Sequence, residues 1–259
     1  MEQSRPIIEK EGLRVAAVSY DSQETLQRFA EHHQIRFPLL SDRDSAVIRS
    51  FGILNTNIAP GLRAHGVPHP VEYLVAHDGL VISKYFVPNY QHRVTASAVV
   101  LREFGATADG APTITLRSGA LTVEVGLSAA KAFAGQEISF FAKFTLQPGW
   151  HVYGSPLPPA YTATSVTFED PKIIRQSFDL PSATPMRIAA LGETIPVFSG
   201  SFRGLGSLLL KFPLEEGKIA LSGRVRFQQC SDAVCEAPET LPFELPLILE
   251  PFVVAKPHK

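Results

Sequence analysis

From Leu121 onward, apolar residues fall on every second position of this chain. Leu121, Val123, Val125 and Leu127 alternate with Thr122, Glu124, Gly126 and Ser128. Ile138, Phe140, Ala142, Phe144 and Leu146 repeat the pattern, and Ile219, Leu221, Gly223, Val225 and Phe227 repeat it again. A side-chain period of two turns one face of each segment toward a core and the other away from it. Segments 164–168, 197–202, 205–212 and 240–249 read as further strands, cut by Gly and Pro turns. Many short strands with no convincing helix predict an all-β sandwich over residues 112–251.

Ahead of residue 107 the pattern is mixed. Segment 13–19 is a short apolar run with β-branched residues, read as a buried strand. Asp21 with Glu24 three residues on reads as a capping box for a helix over 22–33, with Leu26, Phe29 and Ala30 inward. A strand at 37–40 and a helix at 45–51 follow, the helix with Val47, Ile48 and Phe51 inward. Segments 71–76 and 80–86 flank Asp78-Gly79, a tight-turn signal that predicts a β-hairpin. A helical pattern over 91–104 closes this α/β part. Residues 1–106 are thus one expected domain, 107–111 a small-residue linker, and 252–259 a tail.

Composition narrows the function. Hydrophobic residues make up 45% and charged residues 19%, which suits a globular chain, and a net charge of −1 leaves no basic face for nucleic acid. There is no apolar run of about 18 residues to cross a bilayer. The start, MEQSRPIIEKEG, has no apolar h-region and reads as lacking a secretory signal. No Gly-rich phosphate loop, G-x-S-x-G or H-E-x-x-H occurs, so no cofactor is expected. His65 and His69 are four apart, but Pro68 and Pro70 oppose a helix there, so no metal pair is expected.

The only two cysteines, Cys230 and Cys235, lie in QQCSDAVCEAPE at the end of a predicted strand. A thiol pair this close can exchange disulfides if the sulfurs meet and one is accessible. It can equally form a static bridge. On the chain-entropy model so small a loop contributes roughly 2 kcal/mol, against roughly 3 for a 15-residue loop. Buried reduced thiols are a third reading. Structural zinc requires four ligands, and nothing nearby supplies the other two.

Two resemblances bear on that choice. The segments VAAVSYDS at 15–22, IRFPLLSD at 35–42, FGIL at 51–54, GVPHP at 66–70 and YLVAHDG at 73–79 resemble the AhpC/TSA (redoxin) branch of the thioredoxin-like fold. The resemblance implies an incomplete thioredoxin-like domain. Its first strand and the start of its first helix are missing, so a start upstream of Met1 is expected. It makes Pro70 the candidate cis-proline, with Pro68 as the alternative. Residues 1–106 hold no cysteine, so no peroxidase activity is expected from this chain.

The segments PGWHVY at 148–153, QQCSDAVC at 228–235 and PET at 238–240 resemble the N-terminal alpha domain of the thiol:disulfide interchange protein DsbD, an immunoglobulin-like domain. That resemblance implies that Cys230 and Cys235 are the redox-active pair, with Trp150, His151 and Tyr153 beside them. A protonated His151 could support a thiolate, although simple packing is the plainer role. The family shields its thiols with an aromatic-bearing cap loop, whereas the matching stretch here, 186–192, has no aromatic residue.

The implied partners are thioredoxin-like or other thiol redox proteins and a separate membrane electron donor, in the periplasm. A protein-binding module with a static disulfide, or a fragment of a larger antioxidant peroxiredoxin-like protein, are the alternatives.

Overall fold

The computed structural model describes residues 1–59, 61–62, 65–86, 92–188 and 193–251. The chain divides into two units, Met1–Ala96 and Ser97–Lys259. The division falls ahead of the expected linker at 107–111. Helix Ala96–Phe104 goes almost wholly with the second unit, where Arg102 pairs with Glu137 at 2.7 Å.

In the first unit, strand Ala17–Ser19 pairs in parallel with Leu39–Ser41, and helix Gln23–His33 connects them. The helix begins one residue later than expected. Ser22, not Asp21, is the cap, and its Oγ accepts from Thr25 N at 3.2 Å. Asp21 instead accepts from Ser19 Oγ at 2.5 Å. Of the residues expected inward, Leu26 and Ile48 are buried, while Phe29, Val47 and Phe51 are exposed. Helix Ala46–Ser50 is anchored by the buried Asp42 carboxylate, which accepts from Val47 N and Ile48 N.

The hairpin forms as expected between Val71–Val75 and Val81–Phe86. Gly79 takes φ +88° in its turn, a conformation that side chains resist. Among the described residues, these two strand pairs are separate two-stranded sheets.

The cis-proline expectation for Pro70 is corrected. Cis bonds precede Pro156 and Pro213, and neither Pro68 nor Pro70 follows one. The trans isomer is the lower-energy default, and the loop is already fixed by His69 N donating to Ile53 O at 2.7 Å and by a Leu54–Pro68 bridge.

The second unit is the expected β-sandwich. One sheet runs in the order Ile173–Asp179, Ser201–Leu210, Gln136–Leu146, Leu121–Leu127, Thr113–Ser118. The opposing sheet runs Ser165–Phe168, Gly217–Phe227, Glu239–Leu249, Lys131–Ala132. The alternating residues read from the sequence fill the space between them: Val123, Val125, Phe140, Phe144, Val225 and Phe227 are each fully buried. Phe140 meets Phe168 of the opposing sheet edge-on at 5.0 Å, which ties the layers together, and stacks on Phe178 of its own sheet at 5.5 Å.

Segment 197–202 is two strands, not one, because Gly200 turns the chain at φ +65°. A third, smaller sheet runs Thr184–Ile188, Glu193–Ser199, Trp150–Tyr153, Gln229–Ser231. Strands Gly217–Phe227 and Gln229–Ser231 belong to different sheets, so the chain changes sheet at Gln228. Cys230 follows at once. The tail from residue 252 lies outside the described residues.

Candidate redox-active site

Strand Trp150–Tyr153 lies between Glu193–Ser199 and Gln229–Ser231, with His151 opposite Cys230 and Val152 opposite Gln229. Past Cys230 the chain turns back at once. Ser231 N donates to Val234 O at 2.7 Å, and Ser231 Oγ accepts from Ala233 N and Val234 N. This turn returns Cys235 beside Cys230 at a Cα separation of 4.1 Å, with the disulfide formed. Cys230 is fully buried, whereas Asp232, Ala233, Val234 and Cys235 are exposed. The two sulfurs therefore meet different surroundings.

The period of two also sorts the three residues expected beside the pair. His151 and Tyr153 share one face of their strand, with ring centroids 5.6 Å apart. Trp150 and Val152 face the other way and pack on the sandwich core. The structure thus brings Tyr153 to the sulfurs, sets His151 beside it, and leaves Trp150 on the opposite face.

Tyr153 is fully buried, and its hydroxyl lies 3.0 Å from Cys230 Sγ and 3.5 Å from Cys235 Sγ. Disulfide sulfurs carry no proton, so the hydroxyl donates. Burial, reinforced by Tyr161, pushes the Tyr153 phenol above its ordinary pKa, which keeps that proton in place.

His151 sits in surroundings that disfavour its charged form. It is 3% exposed, and burial pulls its pKa below the ordinary value against an opposing pull from Asp232. Its Nε2 is buried without a hydrogen-bond partner.

Sequence reasoning missed the wall of the site. Tyr153, Ile195, Val197 and Cys230 form one buried apolar cluster, with Leu157, Tyr161 and Met186 packed against it. The Tyr161 ring stands edge-on to Tyr153 at 5.0 Å. The further aromatic residue packed on this cluster therefore comes from the loop after Tyr153 and not from 186–192. Within that stretch Met186 joins the cluster, and residues 189–192 lie outside the described residues. The signal available in the sequence was the lone tyrosine in SPLPPAYT, at 155–162. Gln228 and Gln229, directly before Cys230, were also passed over. No group of three His, Cys, Asp or Glu side chains suited to a metal occurs among the described residues.

Residues 1–84 match the AhpC/TSA family, and residues 124–246 match the family described as thiol:disulfide interchange protein DsbD, N-terminal. Peroxiredoxin Bcp of Escherichia coli (strain K12) is 35% identical over 74 residues, which are 29% of this chain and 47% of that protein. The chain spans about half the length of the curated relatives it matches.

Among solved structures, the N-terminal periplasmic domain of ScsB from Proteus mirabilis is similar at 14% identity and a TM-score of 0.40, covering 53% of this chain and 50% of that one. The Neisseria meningitidis DsbD N-terminal domain in the reduced form gives 15% identity and a TM-score of 0.28, over 52% of this chain and 82% of that one. By the family matches, residues 1–84 are thus similar to part of an AhpC/TSA domain, and residues 124–246 to a DsbD N-terminal domain.

Proposed function

We propose that the second unit relays electrons between thiol proteins through Cys230 and Cys235. The carrying observation is the asymmetry of the pair, with one sulfur-bearing residue exposed and the other buried under a hydroxyl donor. In the reducing direction, a partner thiolate attacks Sγ of Cys235, the exposed residue of the pair. The Cys230–Cys235 bond breaks, and Cys230 leaves as a thiolate that the Tyr153 hydroxyl stabilises by hydrogen bonding. The partner's second thiolate then attacks the mixed disulfide and releases Cys235. The partner dithiol ends as a disulfide and this pair as two thiols, with two electrons and two protons transferred. The reverse sequence, led by the Cys235 thiolate, reduces an oxidised target.

The partners fitting this chemistry are thioredoxin-like proteins, with a separate membrane-embedded donor upstream. The match to the DsbD N-terminal family supports a periplasmic setting. The first unit is assigned no peroxide chemistry, because both cysteines of the chain lie in the second.

Single-cysteine variants test the assignment. Cys230→Ser leaves Cys235 free to hold a partner, and a stable mixed disulfide with a thioredoxin-like protein is expected on non-reducing gels. Cys235→Ser should trap little. Equal trapping by both variants, or by neither, would overturn the proposed roles.

A further inference from the structure

Once the disulfide opens, the chain at Cys235 loses its covalent tie, and the structure shows what still holds it. Glu236, the next residue, is gripped at three points. Its N donates to Gln229 O at 3.0 Å. Its carbonyl oxygen accepts from Gln228 Nε2 at 3.1 Å, and its Oε2 accepts from Gln229 Nε2 at 2.6 Å. Gln229 is itself anchored in the sandwich. It is 1% exposed, and its Oε1 accepts from Ala120 N at 3.1 Å. Gly119, at φ +51°, leaves room for that amide where a Cβ would collide with it.

Gln228 does something its neighbour does not. Its Oε1 accepts from Thr162 N at 3.1 Å, one residue past Tyr161. A single amide therefore clasps the exit of the cysteine turn and the segment that carries Tyr161. Both contacts are to main chain, so they fix backbone position whatever the neighbouring side chains are.

We infer that Gln228 is a positioning residue for the thiol pair. It keeps Cys235 beside Cys230 in the reduced state and ties the Tyr161 segment to that geometry. The inference rests on the exchange reading above. Its physical content is pre-organisation: ordering already present in the dithiol is not lost again when the bond closes. Without Gln228 the reduced turn gains freedom, while the oxidised turn is still held by its S–S bond. Ring closure then becomes less favourable. A purely structural residue would stabilise both redox forms alike and leave their equilibrium unchanged, because a shift requires differential stabilisation.

The test is equilibration of the whole chain with glutathione: the Cys230–Cys235 disulfide plus two glutathione thiols gives two protein thiols plus glutathione disulfide. Gln228→Met removes both hydrogen bonds at similar volume. Gln228→Glu keeps the acceptor for Thr162 N and loses the donor to Glu236. With each net hydrogen bond worth about 1 kcal/mol, Gln228→Met should shift the equilibrium toward the dithiol by roughly five- to tenfold. Gln228→Glu should shift it by less.

Thermal unfolding of both redox forms accompanies the measurement, and the reduced form should lose less stability than the oxidised one. An equilibrium unchanged within about twofold, with both forms destabilised equally, would reduce Gln228 to a brace and overturn the inference. Should Gln228→Met fail to fold, Gln228→Glu alone decides by the same criterion. Because glutathione replaces the protein partner, a failure here is distinct from a failure of exchange with thioredoxin-like proteins.

Discussion

On the proposed exchange chemistry, Tyr153 is the residue that most affects the pair. Its hydroxyl reaches both sulfurs, and burial keeps it protonated. Hydrogen bonds to charged groups contribute about 1.5–3 kcal/mol, so Tyr153→Phe should raise the Cys230 thiol pKa. It should also slow reduction of the disulfide by roughly tenfold or more. Thiol titration by absorbance and stopped-flow reduction measure the two effects.

His151 gives a pH dependence whose sign follows from its burial. Its folded pKa lies below the unfolded value, so the unfolded chain takes up the proton first as pH falls. Its contribution to stability is complete above the unfolded pKa, about 6.5, and is lost as pH drops from there toward the folded pKa. Denaturant unfolding at pH 7 and pH 5 should show this loss, and His151→Gln should flatten it. The placement of Tyr153 was legible because its motif sits on a strand. Trp150 was misplaced because three neighbours in a motif were read together, while alternation puts its side chain on the other face.

At the scale of elements, the strands that alternate strongly were the ones legible in advance. Leu121–Leu127 and Gln136–Leu146 alternate apolar with other residues and bury the expected side chains. Ile173–Asp179 lies at a sheet edge, is mostly exposed and carries no such signal. The loop carrying Tyr161 has no period at all. Its position depends on contacts distant in sequence, among them Gln228 to Thr162.

Two elements carry measurable consequences. A Cβ at Gly206 would collide with the Phe140 ring and the Ser177 carbonyl. Gly206→Ala should therefore cost about 1–3 kcal/mol in chemical denaturation, the usual range for overpacking. The 93%-buried Glu137 joins Arg102 of helix Ala96–Phe104 to Arg175 of an edge strand, at 2.7 and 2.8 Å. Glu137→Ala should cost about 2–3 kcal/mol by the same measurement, since two charge-assisted hydrogen bonds are lost.

Across the whole molecule, a stretch that matches the AhpC/TSA family over residues 1–84 holds no cysteine and precedes a sandwich that holds both. The sequence placed the change of architecture near residues 107–111, where small residues collect. The units divide at Ala96/Ser97 instead, because a short helix can be read from its period but its domain cannot. Both cysteines, and with them the exchange chemistry proposed above, lie in the second unit.

The central claim is that the Cys230/Cys235 pair exchanges electrons with thiol proteins. Its most direct measurement is stopped-flow mixing of the oxidised chain with a reduced thioredoxin-like protein. The account predicts quantitative dithiol formation at Cys230 and Cys235, at a second-order rate well above that of dithiothreitol. A disulfide that stays oxidised under those conditions, or that only dithiothreitol reduces, would contradict it and leave the bridge a static brace.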